Sequence, residues 1–183
     1  MTGVGRSFGG LAVAAMLTGC IVEVGGGERE WRFVDPPEVM AEVSNGDIRV
    51  RSALDDELLA RWDGGGFGDN ARPDVVELAD GTIRIDADGG LAGGGTMELE
   101  VPDGTALDLT VDRGSIDVEL DAPASIYACA GAGRVGITVP PGPYRLELGA
   151  GIGVIDNGIV DDPTAPYTLE VCVGAGEVEL RER

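Results

Sequence analysis

The chain has 183 residues, a formal net charge of −20, 31 glycines and no histidine. A surface this acidic repels phosphate groups, which argues against nucleic-acid binding and against electrostatic docking on anionic lipids. Without histidine, neither a Ser-His-Asp nor a Cys-His catalytic arrangement can form, nor a histidine–cysteine zinc site. We therefore expect a protein that is not an enzyme and that uses no cofactor and no metal.

The chain begins with a short apolar segment. Arg6 is followed by uncharged, mostly small or apolar residues up to Leu17, a run too short to cross a bilayer and typical of a signal peptide. Residues 17–20 (Leu-Thr-Gly-Cys) resemble the lipobox of bacterial lipoproteins. That resemblance implies cleavage before Cys20 and attachment of diacylglycerol to its thiol, which would anchor the protein on a membrane. An ordinary secretory signal is the alternative.

Glycine and acidic residues follow the cysteine. Three consecutive glycines and the lack of an apolar period indicate a flexible segment. We predict a lipoprotein signal peptide over residues 1–19, a lipid-anchored flexible tether over 20–30 and one β-strand-repeat domain over 31–183.

The first half of that domain holds two irregular copies of a strand pattern. Alternating apolar residues flank Asn45-Gly46 and again Asp80-Gly81. Between them, residues 52–62 carry leucines at helix-like intervals, which predicts a short helical segment. Residues 97–101 predict an additional strand that ends at Pro102-Asp103-Gly104. The glycine-rich segments 63–70 and 89–95 lack the lysine and Ser/Thr of a phosphate-binding loop and are expected to be surface loops.

Half of the aromatic residues lie in this first half, and we expect them to cover an open end of the strand stack. A sugar-stacking or partner-binding patch is the alternative. These residues are Trp31, Phe33, Trp62 and Phe67.

The second half repeats one pattern four times between residues 107 and 180. Apolar residues stand seven, five and three positions before a glycine and two positions after it, and successive glycines are 19, 20 and 23 residues apart. Alternation buries one set of side chains, so each copy reads as a strand, a glycine corner and a second strand. With the two earlier copies, six corner glycines share one register: Gly46, Gly81, Gly114, Gly133, Gly153 and Gly176.

Two all-β folds fit this pattern. One is a repetitive, β-solenoid-like stack of short strands; the other is a sandwich of antiparallel hairpins, since Asn-Gly and Asp-Gly are hairpin signals. The regular period, and the prolines in the links between copies, favour the stack.

The segments VSNGDIRV, LADGTIRI and MELEVPDGTALDLTVDRGSIDVEL, together with the GAG-containing copies after them, resemble the bacterial putative-adhesin (toastrack) family of β-strand repeats over residues 37–180. The resemblance implies a β-solenoid-like stack exposed at the cell envelope, and some members of the family are linked to envelope-stress systems. This chain departs from the family pattern at the corners with Gly131 and Gly133, and at Asn157, where an inward apolar residue is expected.

Two cysteines remain after Cys20. Cys129 and Cys172 each stand four residues before their corner glycine, and such a pair in an exported protein suggests a disulfide. Gly149 holds the equivalent position in the copy between them, so stacking in sequence order would separate the cysteines by about 9.6 Å, twice the strand spacing. A disulfide needs Cα atoms within about 7 Å. A bridge would therefore mean that the copies do not stack in sequence order, and both alternatives stay open.

Acidic residues offer weaker candidate sites. The outward pairs Asp117 with Glu119 and Glu177 with Glu179 could act on polysaccharide. The clusters Asp161-Asp162 and Asp55-Asp56-Glu57 could hold calcium, although neither has the spacing of a defined loop. Solvated strands and turns require the same residues, which is the interpretation we prefer.

These observations predict an exported, lipid-anchored protein on the non-cytoplasmic side of an envelope membrane. We expect it to act as a non-enzymatic surface scaffold or adhesin-like interaction module, with an envelope protein or polysaccharide as partner. One alternative is a carbohydrate-binding or carbohydrate-active β-helix, and another is an accessory subunit of an envelope-stress sensing system.

Overall fold

The structure, a computed structural model, describes residues 20–23, 28–64, 73–87 and 94–183. The predicted signal peptide and Phe67 lie outside these ranges. Every regular element within them is a β-strand, which confirms the all-β prediction. Where the chain is described, no helix is long and apolar enough to cross a bilayer.

Eleven strands are found in the described ranges. They are β1 (Cys20–Glu23), β2 (Glu28–Val34), β3 (Glu38–Ser52), β4 (Glu57–Asp63), β5 (Asp74–Glu77), β6 (Ile83–Ala87), β7 (Gly95–Val101), β8 (Ala106–Glu119), β9 (Ile126–Val139), β10 (Tyr144–Asn157) and β11 (Tyr167–Glu182).

The long strands are bent at a glycine corner. In β9 the buried residues Ile126, Ala128 and Ala130 precede the corner, and the buried residues Val135 and Ile137 follow it. Burial thus changes from even to odd positions across the corner, which keeps both arms of the strand facing one interior. The buried residues of all the layers form a single hydrophobic core cluster.

The corner glycines stack directly on one another from layer to layer. Gly133 has φ +146°, and a Cβ added there would lie 1.7 Å from the carbonyl oxygen of Gly114. No other residue fits both the backbone angle and this approach. The same approach to a glycine oxygen of the adjoining layer recurs at four further predicted corners, Gly46, Gly114, Gly153 and Gly176.

The sixth predicted corner is wrong. Gly81 lies in the turn between β5 and β6, which pair antiparallel as a hairpin, and its φ of +88° serves that turn. The glycine that stacks on Gly46 is Gly95. The second copy is therefore split into β6 and β7, with its corner moved to the start of β7, so the alternation around Asp80-Gly81 reflects a hairpin there instead of a layer of the stack.

Parallel pairing joins the layers in an order that differs from the sequence. The order is β7 (with β6 beside it on the first arm of β3), β3, β8, β9, β11 and β10. The solenoid-like stack of short strands is thus confirmed, but both end layers are displaced: the second copy lies outside the first, and the fifth lies outside the sixth.

Two local predictions are also wrong. Residues 52–62, expected to include a helical segment, contain β4, in which Leu58, Leu59 and Ala60 are all buried. A strand buried on both faces shows no apolar–polar alternation, and the spacing of its leucines resembles a helical period. The predicted tether over residues 20–30 contains β1 and the start of β2, which pair antiparallel.

Antiparallel strands close the stack beyond β7. β4 pairs with β7, β2 pairs with β4, and β5 covers β6. Trp62 of β4 is 1 % exposed, Trp31 of β2 is buried, and Phe33 packs against the core. We call this closed end the capped end. Trp31, Phe33 and Trp62 therefore do cover an end of the stack, as expected.

Candidate interaction surface

The opposite end of the stack is formed by β10. One edge of β10 pairs with β11 over thirteen registered residue pairs, and no described strand pairs with its other edge. We call the outer edge of β10, together with the side chains around it, the open end. An unpaired strand edge presents a row of backbone donors and acceptors to any other chain.

A short segment after β10 covers the first part of this edge. The backbone nitrogen of Leu146 donates to the Asp161 carboxylate at 2.9 Å, and the backbone nitrogen of Asp162 donates to the Tyr144 carbonyl at 2.8 Å. Ile159 is buried beside them. Because backbone groups alternate in direction along a strand, the N–H and C=O of Leu148 and Ala150 face the same edge without this cover.

Apolar side chains are exposed along the rest of β10. Ile152 is 79 % exposed and Val154 is 63 % exposed, and Ile155, an inward position in the repeat, is also exposed. The equivalent inward residue of β9, Val135, is fully buried. Residues 148–155 (LGAGIGVI) contain no charged residue. The open end is thus an uncharged, largely apolar edge over residues 148–155 on an otherwise strongly acidic molecule.

Asn157 favours the end of the stack as the position of β10. It stands where the repeat calls for an inward apolar residue, and its side chain instead bonds the following turn: Nδ2 donates to the Ile159 carbonyl at 3.0 Å and Oδ1 accepts from the Ile159 nitrogen at 2.9 Å. In an interior layer the equivalent position is held by a buried apolar residue, Leu180 in β11. A polar side chain there costs less at the end of the stack than inside it.

A disulfide joins β11, the layer beside β10, to β9. Cys129 of β9 and Cys172 of β11 are paired in register, with Cα atoms 4.6 Å apart, and their sulfurs form a disulfide. Of the two alternatives left open by the sequence, the bridge is the one found, and the layers accordingly do not stack in sequence order, since β11 and not β10 adjoins β9. Gly149 lies beside Cys172 on the other side.

A groove of about 300 Å³ crosses the outer face of the second arms from β3 to β11. Its floor includes Gly136, where a missing side chain leaves space between β8 and β11. The lining alternates arginines and carboxylates, among them Arg49, Arg134, Arg181 and Glu179, and contains no aromatic side chain.

The charged groups of this groove bind one another. Arg134 forms ion pairs with Glu179 and with Asp117, and Arg181 pairs with Asp156 at the outer strand. The hydrogen bond from Arg181 lowers the pKa of the Asp156 carboxyl, and the hydrogen bond to Glu179 raises the pKa of Arg134. The groove is therefore a chain of mutual ion pairs across the layers, with modest energetic weight on an exposed face.

The predicted carboxylate sites have structural roles. Asp117 and Glu179 are held by Arg134, and Glu119 pairs with Arg183 at 2.8 Å. Asp162 accepts from the backbone of Thr164 and Asp161 from Leu146, while Asp55 accepts from the backbone of Glu57. No group of three or more metal-ligating side chains occurs among the residues that the structure describes.

Cys20, the predicted lipidation site, is the first residue of β1, at the far end of the sheet from β10. The other lipobox residues precede the described part of the chain. The open end itself was missed by the sequence reasoning. Two signals could have located it: the polar Asn157 at an inward position, and the cysteine pair, which requires that β10 does not lie between β9 and β11.

No protein-family profile matches the sequence, and no curated protein does. Among solved structures, the chain is similar to a putative cell adhesion protein from Clostridium sporogenes, with 11 % identity, a TM-score of 0.48 and coverage of 85 % of this chain and 100 % of the other. It is also similar to a putative adhesin from Bacteroides fragilis (11 % identity, TM-score 0.26, 85 % and 97 % covered). A putative adhesin from Parabacteroides distasonis is a further match (11 % identity, TM-score 0.28, 87 % and 98 % covered). The function is argued below from the chain's own surfaces.

Proposed function

We propose that this chain is an exported, lipid-anchored envelope protein that acts as a non-enzymatic interaction module and binds another polypeptide at its open end. The observation that carries the proposal is the unequal treatment of the two ends. Antiparallel strands and buried tryptophans close one end, whereas β10 offers a bare edge and exposed apolar side chains at the other. Addition of a strand to such an edge is a common mode of recognition between proteins.

The anchor and the open end lie at opposite extremes of the sheet. Along the sheet path from β1 to β10, successive strands are spaced by about 4.8 Å, and eight such steps give roughly 38 Å. A lipid on Cys20 would hold the capped end near the bilayer, with β10 facing away from it. An interaction module needs this arrangement, because its binding edge stays accessible.

A carbohydrate-active β-helix is less well supported. The groove across the second arms has no aromatic side chain for stacking on a sugar ring, and its carboxylates Asp117 and Glu179 are engaged by Arg134. A role as accessory subunit of an envelope-stress complex agrees with binding at the open end, and the identity of the bound chain distinguishes that role from self-association.

The anchor is tested by labelled-palmitate incorporation and cell fractionation. We expect label and membrane association in the wild type, and loss of both in Cys20→Ala. A Cys20→Ala variant that keeps its label and sediments with membranes would refute the anchor.

The interaction is tested in living cells with a photo-crosslinking amino acid placed at Ile152 of the open end. The matched control carries the same amino acid at Val34, which is 76 % exposed beside the capped end. We expect a discrete protein adduct from position 152 and none from position 34. Absence of an adduct at 152, or equal adducts at both positions, would refute the interaction at the open end.

A further inference from the structure

The bent shape of β10 is the shape that a strand needs in order to pair along the whole open end. A straight peptide can cover only one arm of a bent strand, so full cover of the open end requires a chain with a corner in its middle. β10 has that form, with a longer first arm (144–150) and a shorter second arm (154–157) on either side of residues 151–153. Of the bent strands in the described ranges, it is also the one left with an unpaired edge.

Residues that commonly prevent edge-to-edge pairing are missing from this edge. Natural edge strands are protected by prolines, by central charges or by short length. β10 has 14 residues, contains no proline, and carries its charges near the two ends, at Arg145, Glu147 and Asp156. The uncharged centre allows close approach of a second acidic chain.

A two-fold axis at the corner gives a consistent pairing of two copies. If Ala150 of one copy lies opposite Ile155 of the other, inward residues face inward residues on both arms, because side chains directly opposite in an antiparallel pair share one face. In that register Glu147 lies opposite Gly158, and Asp156 lies opposite Gly149. Like charges are therefore not set against each other, and the two Ile152 residues lie next to the axis.

We propose that the partner at the open end is a second copy of this chain, paired through antiparallel β10 strands about a two-fold axis at the corner; this inference rests on the proposed interaction function. The dimer has one continuous core that runs through both stacks, with a capped end at each extremity. Two-fold contacts of this self-complementary kind are the commonest in homo-oligomers. The contact is limited to about one strand per chain, which predicts a dissociation constant on the order of micromolar.

The test is sedimentation velocity of the purified full chain with Cys20→Ala, over a range of concentrations. We expect a monomer–dimer equilibrium that strengthens with added salt, because two chains of charge −20 repel each other until that repulsion is screened. Ile152→Asp should weaken the dimer tenfold or more, and Ile152→Arg should weaken it similarly. Val34→Asp, an equally exposed apolar site at the capped end, should leave it unchanged.

Mixing the two Ile152 variants gives the sharpest result. Because each copy places residue 152 beside the axis, Asp in one chain meets Arg in the other, and we expect the mixture to recover the affinity that each variant loses alone. A monomeric wild type at all concentrations, failure of the mixture to recover, or equal weakening by Val34→Asp would overturn the proposal. In the crosslinking experiment at position 152, an adduct of twice the chain's mass supports the dimer. An adduct of any other mass overturns the dimer while leaving the interaction function intact, and no adduct overturns both.

Discussion

The two ends of the stack are built from the same kind of layer but meet solvent differently. At the capped end, β4 supplies a strand with apolar residues on both faces, and the interior of the last layer is closed by Trp62. At the open end, the outermost layer turns its inward residues toward solvent, and the one short covering segment reaches only the beginning of β10. The comparison shows that a repeat can stack indefinitely, and that the sequence beyond the repeat decides where it stops.

The exposure of apolar side chains at the open end lowers the free energy of unfolding unless another chain covers them. Ile155 and the half-buried leucines of the first arm forgo part of the burial that their equivalents in β11 have, where full burial is worth about 1.5–3 kcal/mol for each large apolar side chain. At the opposite end the same chain does cover its last layer, with β2 and β4. The bare apolar edge at one end agrees with the proposed use of the open end as a binding surface.

We expect the largest effect on stability from adding a side chain at one of the stacked corner glycines. Gly133→Ala should lower the free energy of unfolding by at least about 3 kcal/mol, since its Cβ would overlap the oxygen of Gly114 at a φ that alanine rarely adopts. Gly153→Ala should cost clearly less, because β10 has no described strand outside it and can shift outward. Urea denaturation of both variants measures the contrast. Equal losses would show that the outer layer is as tightly confined as the inner ones.

Truncation of side chains at the two ends should give unequal losses. Trp62→Ala at the capped end should cost about 3–5 kcal/mol because it leaves a large cavity, whereas Ile155→Ala at the open end should cost less than about 1 kcal/mol. Trp62→Phe is the conservative variant. Its indole nitrogen is buried without a hydrogen-bond partner among the described residues, so the phenyl ring should retain most of the stability. Thermal or urea unfolding provides the measurement, and comparable losses for Trp62→Ala and Ile155→Ala would contradict the contrast between the ends.

Removal of the disulfide should act on the open end. The double variant Cys129→Ala with Cys172→Ala should be destabilised by about 2–4 kcal/mol, since the bond closes a loop over a sequence separation of 43 residues. Hydrogen exchange should accelerate mainly in β10 and β11, because β11 is the one described strand with which β10 pairs, and should change little in β2 and β4. Uniform acceleration along the chain would indicate one cooperative unit instead of a separable end.

The smallest effect concerns an ion-pair network at the capped end. Burial raises the pKa of Glu30, but the hydrogen bonds from Arg61 and Arg32, at 3.2 and 2.9 Å, outweigh it and hold the pKa below its usual value of 4.5. A lowered carboxylate pKa contributes stability above pH 4.5 that is lost as the pH falls through the folded-state value. Glu30→Gln should therefore cost about 1 kcal/mol at pH 7 and little at pH 2.5.

The open-end counterpart, Glu147→Gln, should change stability by less than about 0.5 kcal/mol at either pH, because Glu147 has an exposed pairing with Arg145. Urea titrations of both variants at the two pH values measure the difference. A cost of Glu30→Gln that does not depend on pH would mean that packing, and not charge, holds the two cap strands together.

Much of the fold follows from local pattern. The period-two alternation and the glycine spacing predict the bent strands, because burial of one face and the close approach at the corner act within one layer and its neighbour. The order of layers does not follow, because all layers share one register and any layer can pair with any other. Gly81 illustrates the limit: its local pattern equals that of Gly46, yet Asp80-Gly81 closes a hairpin.

The candidate surface follows from the sequence only in part. Lack of charge in residues 148–155 is visible in the sequence, but the same feature in an interior strand would merely predict burial. What distinguishes β10 is its position, and that position follows from the pairing of Cys129 with Cys172 and from the polar Asn157. The groove near Gly136 depends on side chains from strands distant in sequence, which no periodic pattern predicts.

The insertion of β11 between β9 and β10 has a consequence for biogenesis. In a polypeptide made amino end first, β10 is complete before β11, and because both share one register, β10 could pair with β9 prematurely. β11 must then displace an early occupant or arrive at a site kept vacant. Because Cys129 and Cys172 adjoin only when β11 lies beside β9, their disulfide favours the final order of the layers over the early pairing.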